Sequence, residues 1–138
     1  MKNYVVFEHT ADIGMRIKGK DLKDLFKHAG LAVFQVSSRR QFTRNKTHID
    51  IPVKLSADNL EELFVNWLNE LLSLSQARGL IFHDLKIKKV EGGSLDAVAV
   101  GSDIANYKVN TEIKAATFHE LKIAQGGSGW EAKVILDV

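Results

Sequence analysis

The chain has 138 residues with a net charge of +2, 45% hydrophobic and 26% charged residues, and no cysteine. That length suits one domain with its own core, and the charged fraction argues against disorder. The small net charge gives no strong pull toward nucleic acid or membrane, and the missing thiols exclude disulfides, thiolate catalysis and cysteine-built zinc sites.

Taken in order, residues 4–9 read as a strand. Residues 12–18 read as a second strand, because Ile13, Met15 and Ile17 alternate with Gly14, Arg16 and Lys18. Asp21, with Asp24 three residues on, predicts the N-terminus of an amphipathic helix over 21–37, built on Leu22, Leu25, Phe26, Ala29, Val33 and Val36. Residues 38–47 are the most basic stretch, with Arg39, Arg40, Arg44 and Lys46 around Phe42. They read as a solvated loop or as a grip for phosphates.

Ile49, Ile51, Val53 and Leu55 form a strand that Pro52 assigns to a sheet edge. Ser56 to Asp58, with Glu61 in a capping arrangement, opens a second helix near 58–77. Its wide apolar face holds Leu63, Phe64, Trp67, Leu68, Leu71 and Leu72, with Trp67 a core residue and Glu70 at the edge. Gly79 fits the C-cap. Residues 81–101 read as a hairpin about Gly92-Gly93, and 109–116 and 119–125 as two strands about Thr117-Phe118-His119. Gly126-Gly127-Ser128-Gly129 is a turn into a last strand, since no helix follows it as a phosphate loop requires. The fold class is α+β: one domain over residues 1–138, a mostly antiparallel or mixed sheet with both helices packed on one face.

The residues with chemistry cluster at the two ends. Glu8-His9-Thr10-Ala11-Asp12 sets two acids, an imidazole and a hydroxyl between two strands, which makes it a turn or a site. The last segment, Val134 to Val138, is apolar except for Asp137. If the chain closes on itself, Asp12 meets Asp137 and the terminal carboxylate of Val138. Oxygen donors without thiolates favour a hard cation; the bland alternative is two exposed strand-end acids. His9, three residues before Asp12, lies on the opposite face if the segment is extended and on the same side if it turns. His119 beside Glu120 is a possible ligand or a surface turn residue. His28, His48 and His83 carry no local signal. The sequence holds no Ser-His-Asp set, nucleophile elbow, Walker motif or HExxH helix, so spacing alone points to no enzyme.

The run Glu8-His9-Thr10-Ala11-Asp12-Ile13-Gly14 resembles the N-terminal signature of the archease family. Ile113 to Leu121, Gly129-Trp130, and Val134 to Val138 agree with that family in order and position, as does Leu63 to Leu72 with its long helix. The resemblance implies a non-enzymatic, cytoplasmic accessory protein of the RtcB-type RNA ligase in tRNA splicing, promoting GTP-dependent guanylylation and multiple turnover. It implies a metal site of Asp12, Asp137 and Val138 that takes calcium, or magnesium or manganese, with Glu8, His9 and His119 as candidates for contact with the partner. RNA is then met through the ligase, and no membrane is involved. The alternatives are a general chaperone of nucleic-acid-processing enzymes with a structural metal, or a metal-dependent phosphoester hydrolase. Phe118 stands where the family often has tyrosine, and Ser102 where an acid often follows the glycine.

Overall fold

The computed structural model of the chain describes residues 3–9, 11–44, 46 and 48–138, and of His9 the backbone alone. Strands β1 (Tyr4–His9) and β2 (Asp12–Gly19) pair antiparallel from Tyr4↔Ile17 to His9↔Asp12. The alternation in β2 sends Met15 and Ile17, both fully buried, into the core.

Helix α1 (Leu22–Ser37) starts as its sequence predicts: the Asp21 carboxylate accepts the Asp24 N–H at 2.8 Å. It ends without glycine or proline. Instead the Ser38 hydroxyl donates to the Phe34 carbonyl at 2.8 Å, satisfying a last-turn acceptor. Its buried positions, including Ala29, Gly30, Ala32 and Val33, cover more than one stripe. The small residues matter: a Cβ on Gly30 would lie 2.4 Å from Leu85 Cδ1 and 2.9 Å from Leu71 Cδ1. The helix therefore sits close against both of those side chains.

The basic stretch does not begin as a loop. Ser38–Arg40 is a short strand, β3, which pairs with residues Tyr107–Val109. Gln41 and Phe42 then donate backbone N–H groups to the Asn106 carbonyl at 3.0 Å each, and the Arg44 N–H donates to Asn106 Oδ1 at 2.8 Å. The fully buried Asn106 thus tethers this segment, while its bases stay exposed.

Strand β4 (His48–Ser56) is an edge strand, as Pro52 requires. Helix α2 (Leu60–Arg78) starts one residue later than the Asp58 capping arrangement predicts. Asn59 is the N-cap, and its side chain accepts the Glu62 N–H at 2.8 Å. Both registers offer a short polar side chain followed three residues on by glutamate, so local chemistry alone does not separate them. Glu61 and Glu62 in the first turn and Arg78 in the last complement the helix dipole. Gly79 closes the helix at φ 63°, in the left-handed region.

Strands β5 (Leu80–Glu91) and β6 (Ser94–Asp103) form the expected hairpin, turning through Gly92 and Gly93. A 3-10 turn, Ile104–Asn106, leads into β7 (Tyr107–Val109). Of the strand expected at 109–116 only the ends form, since residues 110–114 carry no strand; the one expected at 119–125 belongs to β8 (Ala115–Gly126), whose pairing has a bulge between Thr117 and Lys122. The break expected at Thr117-Phe118-His119 is absorbed within the strand, with Glu120 at φ 52°. A turn at Gly126–Gly129 returns the chain as β9 (Gly129–Asp137).

All pairings are antiparallel, and the strands form two main sheets rather than one. The first has the order β1-β2-β9-β8, the second β4-β6-β5, with β3 and β7 as a small third. The helices are not on one outer face. Helix α1 touches β2 and β5, and α2 touches β8, β4 and β5, so both lie between the main sheets. Trp67, Phe26 and Phe64 are fully buried at the centre, with the Phe26 and Phe64 rings edge to face at 5.3 Å.

Candidate metal centre

The sequence closes on itself through β2 and β9. Their ladder runs from Gly19↔Trp130 to Ile13↔Leu136. Carried one residue further, it sets Asp12 directly opposite Asp137. Directly opposed residues of an antiparallel pair share a face, with Cβ atoms about 4.5–5.5 Å apart. Asp137 is opposed on its other side by Ala115 of β8, and its carbonyl accepts the Lys114 N–H at 2.8 Å. Asp12 is half-buried and Asp137 exposed. Val138, next in the chain, is half-buried against the core.

Like charges directly opposed across strands destabilise a sheet. Two carboxylates in this register suit a cation between them, and oxygen donors suit a hard one. No group of three His, Cys, Asp or Glu side chains gathers among the described residues. A third protein donor would then be the main chain, a hydroxyl or amide side chain, or a group outside the described residues.

The sequence motif is a hairpin, not an extended segment. His9 is the register partner of Asp12, which removes the opposite-face reading for its backbone. Its side chain, and all of Thr10, lie outside the described residues. Glu8 is opposed by Ile13, one residue off the acidic row, and so belongs to the other face of the sheet. His119 is exposed in the β8 bulge, with Nε2 3.1 Å from Glu120 Oε2. It lies within the β8 bulge and, among the described residues, joins no three-ligand group with the carboxylates. Ser102 is buried in β6 of the other sheet, its hydroxyl 3.2 Å from the Tyr107 hydroxyl. Phe118 is 57% exposed on the bulge.

The glycine that ends the motif has a packing role. Gly14 is opposed by Phe7, and a Cβ there would lie 2.2 Å from the Phe7 ring. Phe7 also sits 5.5 Å from the Arg16 guanidinium and 5.7 Å from Lys133 Nζ. The outer face is thus graded: carboxylates at its rim, an aromatic ring next, then the cross-strand row of Arg16, Lys133 and Lys122. Gly14→Ala should displace the ring and lower stability by about 1–3 kcal/mol. Urea unfolding checks this, and a parent-like midpoint would show that the ring does not need the bare glycine.

Two side-chain groupings have no signal in the sequence. Asn69 of α2 donates through Nδ2 to the Ala116 carbonyl at 3.1 Å and accepts the Ala116 N–H at 2.7 Å. It caps the free side of the edge strand β8 beside the acidic row. His48 and His83 meet at 3.0 Å across the second sheet. Burial, His48 and Arg40 push the His83 pKa below its ordinary value, and Asp84 opposes them.

The whole chain matches known proteins. The model of the archease protein family (MTH1598/TM1083) matches residues 4–138. The protein archease of Methanosarcina barkeri is 34% identical over 143 residues, spanning 99% of this chain and 97% of its own. That of Pyrococcus abyssi is 35% identical over the full length of both chains. Among solved structures, the solution structure of Methanobacterium thermoautotrophicum protein 1598 superposes with a TM-score of 0.75 at 26% identity, covering all of both chains. A Thermotoga maritima protein described as an archease and possible chaperone shares the fold, with a TM-score of 0.62 at 22% identity over 96% of this chain and 94% of its own. With the signature, the register and the family match in agreement from one end to the other, this chain belongs to the archease family.

Proposed function

We propose that this protein is a non-enzymatic accessory factor of the RtcB-type RNA ligase of tRNA splicing, promoting its GTP-dependent guanylylation and multiple turnover. It works in the cytoplasm, meets RNA through the ligase, and carries one hard divalent cation, calcium first and magnesium or manganese as alternatives. The observation that supports this reading is the β2–β9 ladder, which ends at Ile13↔Leu136, one residue short of Asp12 and Asp137. Asp12, Asp137 and Val138 would hold the ion. Bound there, it supplies positive charge at an exposed rim where another protein's acidic or phosphorylated groups can reach it.

The chain's own residues then position that rim. Phe7 over Gly14 and Asn69 on Ala116 hold the strands on either side of it. His9, His119 and Glu8 are the candidates for contact with the partner, Glu8 on the other face of the sheet and His119 in the β8 bulge. A ligase-specific factor is a narrower reading than the phrase "possible chaperone" used for the Thermotoga relative, and it predicts no effect on unrelated enzymes.

Calorimetric titration with calcium, magnesium and manganese tests the site. Asp137→Ala should weaken binding strongly. Asp12→Ala should weaken it likewise. Parent-like affinity in both the Asp12→Ala and the Asp137→Ala proteins would mean that β2 and β9 do not build the site.

A further inference from the structure

We propose that His48 and His83 form a second cation site, for a borderline-soft transition-metal ion such as Zn2+, Ni2+ or Cu2+, on the sheet that does not carry the carboxylates. His48 Nδ1 and His83 Nε2 are 3.0 Å apart, with ring centroids at 4.9 Å and planes at 75°. Two imidazole nitrogens, each about 2.0–2.1 Å from one ion in tetrahedral or octahedral geometry, lie about 2.9–3.4 Å apart. The pair is therefore already at chelating separation, and both side chains are exposed enough to rotate onto an entering ion.

The fold builds this pairing from residues 35 apart. His48 opens β4, where its cross-strand partner is the small, buried Ser102 of the central strand β6. His83 is on the other flanking strand, β5, and is skipped by the register shift between Phe82 and Asp84. A bulge of this kind re-aims one side chain. Here it turns His83 toward a residue two strands away, about 9.5 Å in backbone separation.

The neighbours decide the kind of ion and the strength of binding. Imidazoles select Zn2+, Ni2+ or Cu2+ and leave Ca2+ to the carboxylates, so the two sites fill independently. No third His, Cys, Asp or Glu ligand joins the pair among the described residues. Asp84 is engaged with the Leu85 N–H at 2.9 Å and Lys27 Nζ at 3.7 Å. It adds negative charge nearby rather than a bond to the ion, and Arg40 works against it. Water would complete the coordination. A bound ion would tie β4 to β5 across β6 and stabilise the folded chain by mass action.

The full chain is titrated with Zn2+ at neutral pH in excess Ca2+, by calorimetry and by NMR of the imidazole carbons. One equivalent should bind, shifting the His48 and His83 resonances and raising Tm. His48→Ala and His83→Ala should each weaken binding at least about tenfold and abolish the Tm shift, since one imidazole remains where two chelated. Circular dichroism confirms that each variant is folded, and Asp12→Ala should bind Zn2+ like the parent. Parent-like affinity in either histidine variant would overturn the proposal, as would a loss in Asp12→Ala equal to that in the histidine variants.

Discussion

Asp12→Ala and Asp137→Ala should each abolish activation of the ligase while leaving the fold intact. The two acids adjoin the last β2–β9 ladder pair, Ile13↔Leu136, at the ends of adjacent strands, and neither belongs to the hydrophobic core. Removing one relieves the repulsion between like charges, a term of about 0.2–1 kcal/mol for a cross-strand pair. Without metal, the variants should melt at the parent temperature or slightly above it. With metal, the parent should gain stability and the variants should not, because one carboxylate cannot replace two. Turnover number in a splicing assay, read beside thermal melts with and without calcium, separates the outcomes. A variant that activates normally would remove the carboxylates from the mechanism.

Trp67→Ala should be the most damaging core substitution, costing roughly 3–5 kcal/mol. The side chain is fully buried, and its Nε1 donates to the Phe26 carbonyl at 2.9 Å. It sits where α2 meets α1, close enough to Gly30 that a Cβ there would lie 3.4 Å from Nε1. The substitution opens a cavity between two helices that both main sheets enclose, so little around it can collapse. Against a typical stability of about 5–15 kcal/mol, that loss is a large fraction. Urea unfolding of parent, Trp67→Ala and Trp67→Phe measures it, with Trp67→Phe in between because it keeps most of the volume. A parent-like midpoint for Trp67→Ala would show that this helix face is not core.

Features set by neighbours in sequence could be read before the structure. Asp21 and Asp24 announced α1, the alternation of Ile13, Met15 and Ile17 announced β2, and Pro52 announced an edge. Where two local solutions were equivalent, the sequence did not choose: Asp58 and Asn59 are both followed three residues on by glutamate, and only packing of α2 selected Asn59. Thr117-Phe118-His119 read as a break between two strands, yet the ladder to β9 resumes at Lys122. The division into two sheets was hidden for a related reason. Alternation shows that a strand has an inner face, but not which sheet it joins.

The candidate centre divides in the same way. Asp12 and Asp137 could be singled out as acids at strand ends, but their opposition depends on a β2–β9 register spanning almost the whole chain. Asn69 looks like an ordinary helix amide until β8 is laid beside it. The meeting of His48 and His83 needs a β-bulge and an intervening strand, neither of which leaves a mark at those two positions.

The central claim is most directly tested on the ligase itself. The RtcB-type ligase is mixed with GTP and manganese, with and without this protein, and the covalent ligase–guanylate adduct is followed in time. The account predicts faster adduct formation and repeated turnover when the protein is present, neither effect with Asp12→Ala, and no RNA joining or cleavage by the protein alone. An adduct that forms at the same rate with and without the protein, or RNA processed by the protein in the absence of ligase, would contradict it.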